Sequence, residues 1–172
     1  MAKNNIYLWT GEGAGKTTSA LGVALRAVGH KQKVIIVQFM KGRKNIGEYK
    51  VMKKLKPYYS IYQFGKKEFI RPITKPGKKD KELALEGLEF ARKAAKKKPR
   101  LLILDEINLA CAIGLVKADD VIDLVRHCSR YTIVYLTGRR APAKLKKIAD
   151  FVNEIKLVKS PKKYPVRKGI EY

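Results

Sequence analysis

A single string near the start constrains this chain most: Thr10-Gly11-Glu12-Gly13-Ala14-Gly15-Lys16-Thr17-Thr18. It follows Ile6 to Thr10, a short apolar segment that reads as a strand. It precedes Lys16 to Val28, where Ala20, Val23, Ala24 and Ala27 recur at helical spacing. Strand, glycine-rich turn and helix together are the setting in which such a loop binds phosphate. Glycines let the backbone wrap an oxyanion with its amides inward, and the helix start adds its positive pole. Lys16 supplies a mobile cation and Thr17 a hydroxyl for Mg²⁺. Gly11, Glu12, Gly13, Ala14, Gly15, Lys16, Thr17 and Thr18 are therefore candidate ATP-binding residues. In the pattern G-x-x-x-x-G-K-[ST] the first glycine falls on Thr10, with glycines at 11 and 13 instead.

The rest of the chain alternates strand and helix. Val34 to Val37 is a continuous apolar run that suits a buried parallel strand. Met40 to Pro57 is polar and basic and reads as a long connection with at most some helix, before a β-favouring run from Tyr58 to Phe64. A loop over Gly65 to Lys79 precedes an amphipathic helix, Asp80 to Lys97, which Pro99 ends ahead of the strand Leu101 to Leu104. Helices at Ala118 to Ser129 and Pro142 to Asp150, with strands at Thr132 to Leu136 and Phe151 to Val158, complete the series. This alternation predicts an α/β fold of the RecA-like P-loop kind, a mostly parallel sheet with helices on both faces. One domain is expected over 1–158, with 159–172 as its basic tail.

Leu101 to Leu104 runs into Asp105 and Glu106, and ligands bind at this end of strands in open α/β sheets. Asp105 is expected to orient Mg²⁺ directly or through water. Glu106 either polarises an attacking water or serves as a further metal ligand. Thr17, Asp105 and Glu106 form the candidate metal set. Arg139, in Thr137-Gly138-Arg139 after a strand end, is a further candidate for a phosphate oxygen.

Composition narrows the partners. Among 172 residues, 39 Lys and Arg stand against 15 Asp and Glu, a net charge of +24. Such a charge favours polyanions of any kind and does not choose among them. At 45% hydrophobic residues the chain has the means to build a core. No apolar run is long enough to span a bilayer, and no signal peptide is read before the first strand. Cys111 and Cys128 are too few for a zinc ribbon and too far apart for a redox pair, which makes a cytoplasmic setting the expectation. The Asn-Lys-x-Asp base-reading motif of GTPases is absent.

Several strings in order make the chain similar to one family. These are Gly11 to Thr18 with its displaced glycine; Arg26-Ala27-Val28-Gly29-His30; Val37-Gln38-Phe39-Met40-Lys41-Gly42; Gly47-Glu48; Tyr62-Gln63-Phe64-Gly65; Leu104-Asp105-Glu106-Ile107-Asn108; Leu136-Thr137-Gly138-Arg139; and Lys168-Gly169-Ile170-Glu171-Tyr172. In this it resembles the P-loop ATP:corrinoid adenosyltransferases, from about Ile6 to Tyr172. Glu12 and Ala14 stand where family members more often carry a neutral polar residue and a Lys.

The resemblance implies transfer of the 5′-deoxyadenosyl group of ATP to the Co(I) of a corrinoid, with triphosphate as leaving group and Mg²⁺ as cofactor. Lys16, Thr17 and Glu106 are then the catalytic candidates, stabilising charge on the departing oxygen. On the corrinoid side it nominates Gln38, Phe39, Lys41, Gly42, Glu48, Phe64, Gly65 and Phe69, with Phe69 ahead of Phe64 as the apolar side chain beneath the corrin. The corrinoid itself is cobalamin, cobinamide or a cobyrinic acid derivative. The resemblance also implies a homodimer, and the positive charge suits an acidic, flavodoxin-like reductant. The rival reading is a basic ATPase that binds nucleic acid, with Glu106 activating water.

Overall fold

The computed structural model describes residues 5–67, 76–162, 165 and 167–170. Phe69 lies outside the described residues. Six strands form one parallel sheet: β1 (Ile6–Thr10), β2 (Val34–Phe39), β3 (Tyr59–Phe64), β4 (Leu101–Asp105), β5 (Ile133–Thr137) and β6 (Phe151–Glu154). Their order across the sheet is β3-β2-β4-β5-β1-β6. The strand carrying the phosphate loop, β1, is thus separated from the acidic strand β4 by β5. The register sets Trp9 beside Thr137 and Gln38 beside Asp105 at the C-terminal ends of the inner strands.

Helices α1 (Lys16–Gly29), α2 (Gly47–Leu55), α3 (Lys78–Lys96), α4 (Ile107–Ala112), α5 (Ala118–Arg126) and α6 (Ala143–Ile148) connect the strands. Strand alternation divides the core between the two faces. Val37, Phe39, Leu102 and Leu104 pack with Ala84, Leu88 and Ala91 of α3 on one face. Ile36, Leu101, Ile103 and Tyr135 pack with Ala20, Ala24 and Ala27 of α1 on the other. The small side chains let both helices lie close to the sheet.

Three elements differ from expectation. α2 is a nine-residue helix inside the stretch expected to be mainly connection. α4 is a short helix directly after Glu106 that the pattern does not announce. β6 ends at Glu154 rather than Val158, because Ile155 turns from the sheet onto the phosphate loop: its N–H donates to Thr10 O (2.9 Å) and its carbonyl accepts from Gly13 N (2.8 Å). No helix among the described residues is long and apolar enough to cross a membrane.

Candidate active site

The displaced glycine of the loop has a packing reason. A Cβ on Gly11 would lie 2.4 Å from the Ile155 carbonyl oxygen, and one on Gly13 would lie 2.6 Å from Ile155 Cγ2. Gly11 also has φ 97°, in the left-handed region where side chains are strained. Thr10, at the position of the usual glycine, is buried, and its Oγ1 accepts from Ala141 N (3.2 Å). The residue thereby ties the loop to the connection after β5. Gly13 N–H is committed to Ile155, so the anion-facing amides are those nearer the start of α1. Gly15 turns into that helix with φ 109°.

Lys16 is buried and folds back over the loop, donating to Gly11 O (2.7 Å) and Gly13 O (2.5 Å). Burial and the Arg139 charge hold its pKa below the usual lysine value, against the opposing pull of Glu106 and Glu12. Thr18 donates to Gly15 O (3.0 Å) and braces the turn. Arg139 pairs with Glu12 across the mouth of the loop (3.0 Å), both about half exposed. The carboxylate beside the anion site is therefore partnered by a cation, and Ala14 is exposed next to it.

Asp105 lies at the centre of a polar network. Its Oδ1 accepts from Thr17 Oγ1 (2.9 Å) and Thr137 Oγ1 (2.6 Å). Its Oδ2 accepts from Gln38 Nε2 (3.0 Å) and Lys41 Nζ (2.7 Å). Burial pushes this carboxyl up, but the Lys41 charge and the hydrogen bonds from Lys41, Thr137 and Thr17 outweigh it and hold the pKa below the ordinary value. Lys41 responds in kind. Burial alone lowers it, while the charges of Asp105, Glu106 and Glu48 prevail and keep it a firm ammonium. Glu106 is the opposite case: burial and the charge of Asp105 raise its pKa above the carboxylate norm. It sits in the left-handed region at φ 63°, and its N–H donates to Thr137 Oγ1 (3.1 Å).

The chemistry of this donor set fits Mg²⁺. Thr17, Asp105 and Glu106 offer hard oxygens, and among the described residues the Glu106 carboxylate accepts no hydrogen bond. Among the described residues no cluster of three or more His, Cys, Asp or Glu side chains is placed to hold a metal ion. Mg²⁺ suits such a partial set, because it keeps waters and takes phosphate oxygens as further ligands.

Beside the loop, between α1 and α2, lies a cavity of about 580 Å³. Thr17, Thr18, Lys41 and Glu48 line its polar side, Leu21, Leu25, Val51 and Tyr59 its apolar side, and Gly169 and Ile170 of the tail close one flank.

Over residues 2–172 the chain matches the family described as ATP:corrinoid adenosyltransferase BtuR/CobO/CobP. It belongs to that family. A corrinoid adenosyltransferase of Pseudomonas aeruginosa is 32% identical over 170 residues, covering 97% of this chain and 83% of the relative. One from Sinorhizobium is 30% identical over 172 residues, covering 98% and 78%. One from Escherichia coli K12 is 32% identical over 155 residues, covering 90% and 77%.

For this adenosyltransferase-family chain the nominated corrinoid residues divide. Lys41 and Glu48 border the cavity. Gln38 and Phe39 are not among the residues that line it. Gln38 is 0% exposed, with its amide given to Asp105 and its Oε1 accepting from Gln63 (2.9 Å). Phe39 is 0% exposed in the core, where the absent side chain of Gly87 leaves room for it and for Phe64. Phe64 packs on Phe90, with ring centroids 5.4 Å apart. Gly42 and Gly65 serve a backbone crossing: a Cβ on Gly42 would meet Gly65 O at 2.3 Å, and one on Gly65 would meet Lys41 N at 2.4 Å.

Sequence reasoning missed Thr137 and Asn108 as site residues. Thr137 joins Asp105 to the Glu106 backbone, and Asn108 Nδ2 donates to Trp9 O (3.1 Å) and Gly138 O (3.3 Å). The only signal for either was its place in a quoted string. The tail pair Gly169 and Ile170 likewise stood only in a quoted string, and the apolar residues of α2 had no local signal at all.

Proposed function

We propose that the chain transfers the 5′-deoxyadenosyl group of Mg·ATP to the Co(I) of a reduced corrinoid. One observation carries the reading beyond family membership: a phosphate cradle opens directly onto a largely apolar cavity. The Co(I) lone pair attacks C5′ and forms the Co–C bond as the C5′–O bond breaks. The electron pair of that bond leaves with the triphosphate.

The loop thus holds a leaving group. Lys16 exchanges its contacts with Gly11 O and Gly13 O for phosphate oxygens, and the first-turn amides of α1 face the same charge. Thr17, Asp105 and Glu106 are the residues that would hold Mg²⁺, with Thr17 and Asp105 facing it. The ion supplies Lewis-acid stabilisation of the departing oxygen. Glu106 has no proton to remove in such a step, so its role is ligation rather than activation of water. The apolar wall formed by Leu21, Leu25 and Val51 excludes water that a strongly reducing nucleophile would otherwise consume. The finer proposals are a homodimer and an acidic protein as electron donor.

The test is incubation with ATP and a chemically reduced corrinoid. The expected result is a light-sensitive alkylcobalt spectrum with one triphosphate released per product. Stoichiometric orthophosphate and ADP, stimulated by DNA or RNA and without spectral change, would replace this reading with that of an ATPase.

A further inference from the structure

Lys41 stands among the oxygens assigned to the metal ion. Its Nζ is 2.7 Å from Asp105 Oδ2 and 3.2 Å from Thr17 Oγ1. A carboxylate offers about four lone-pair sites, and Thr17, Thr137, Gln38 and Lys41 occupy all four at Asp105. A cation drawn to this carboxylate must therefore displace a donor. Gln38 and Thr137 are fully buried and have nowhere to go. Lys41 differs from them: 23% of its side chain is exposed, and it borders the cavity with Thr17 and Thr18.

Its backbone is fixed while its side chain borders the cavity. Met40 turns the chain at φ 57°, and the close crossing with Gly65 pins the Lys41 amide. Beyond that anchor, a four-carbon stem lets the ammonium reach from Asp105 toward an anion held by the loop.

We propose that the Lys41 ammonium is a built-in competitor for the divalent cation, holding Thr17 and Asp105 until Mg²⁺ arrives together with a polyphosphate that receives the displaced charge. The inference rests on the reading of Thr17 and Asp105 as the metal-facing pair. A divalent ion alone meets a site already neutralised and offers Lys41 no new partner. Mg·ATP brings both the competing cation and the anion that takes up the lysine. Lys41 is in this sense a positioning residue: it holds Asp105 oriented without nucleotide and makes metal and nucleotide binding cooperative.

Mn²⁺, followed by electron paramagnetic resonance, reads this directly in the intact chain. Without nucleotide, Lys41→Met is expected to bind Mn²⁺ about tenfold more tightly than the wild type, a difference of about 1.4 kcal/mol. Lys41→Arg keeps a cation and is expected to exclude Mn²⁺ as the wild type does. With ATP present, the advantage of Lys41→Met should vanish, because the variant lacks the charge that meets the phosphates. Equal or weaker binding of free Mn²⁺ by Lys41→Met, with Mn·ATP still bound by the wild type, would overturn the inference alone. A wild type that does not bind Mn·ATP would overturn the reading beneath it as well. Should Lys41→Met not fold, the wild type still decides: free Mn²⁺ bound as tightly without ATP as with it would refute the competition.

Discussion

Asp105 and Glu106 are adjacent carboxylates with opposite environments, and their mutants should part in the same way. Asp105→Asn turns one acceptor oxygen into an NH₂ group facing donors. The loss is expected to be about 2–4 kcal/mol in urea unfolding, nearer the lower figure because Lys41 is partly solvated. Thr137→Val, which removes one donor to the same carboxylate, should cost about 1 kcal/mol. Glu106→Gln should instead stabilise the metal-free chain, by about 1 kcal/mol at pH 8, while weakening Mg·ATP binding. The pH dependence follows from the direction of the shift. The folded pKa of Glu106 lies above its ordinary 4.5, so between these two values the native state binds more protons than the unfolded one. Wild-type stability then falls as pH rises through that window. Glu106→Gln lacks this slope, so its advantage should be present at pH 8 and gone near pH 4, as paired unfolding curves at the two pH values would show. Curves offset equally at both would remove Glu106 as the source.

At the scale of elements, the contact between β6 and the phosphate loop makes a contrast between two glycines. Gly13→Ala forces a Cβ against Ile155, and the strand end must move; a loss of about 1–3 kcal/mol is expected, with weakened ATP binding. Gly22→Ala, inside α1 with nothing within 4 Å of a new Cβ, should gain about 1 kcal/mol. Equal effects in urea unfolding would show that Ile155 does not close on the loop. The same contact marks where sequence pattern stopped being informative. The buried strands β1, β2 and β4 were readable because parallel strands covered on both faces are continuous apolar runs. The loop was readable because its chemistry is local. Ile155 was not, since its role depends on a backbone meeting nearly 150 residues away in sequence, at Thr10 and Gly13. α2 was obscured by Lys50, Lys53 and Lys54 between Tyr49, Met52 and Leu55, and by an Ile46 cap with no side-chain hydrogen bond. α4, Ile-Asn-Leu-Ala-Cys-Ala, is too short and too uniformly apolar to show a period. Phe39 alternates with Val37, which puts both on the α3 face.

For the whole molecule, the governing quantity is the net charge of +24, because the site itself gathers acids. Glu12, Glu48, Asp105 and Glu106 lie around the loop and cavity, each near a cation, so the excess positive charge is carried elsewhere on the chain. A field of that sign acts on encounter rather than on chemistry. If Co(II) is reduced on this chain by an acidic, flavodoxin-like protein, the encounter is steered at low salt and screened at high salt. The Debye length falls from about 10 Å at 0.1 M to about 3 Å at 1 M. At limiting donor, the stopped-flow reduction rate should drop by about tenfold or more between 0.02 and 0.5 M salt. Turnover with a small chemical reductant should change far less, since no charged protein surface has to be approached. A protein-donor rate indifferent to salt would mean that the charge serves another partner, and competition by DNA or anionic vesicles at low salt would then identify it.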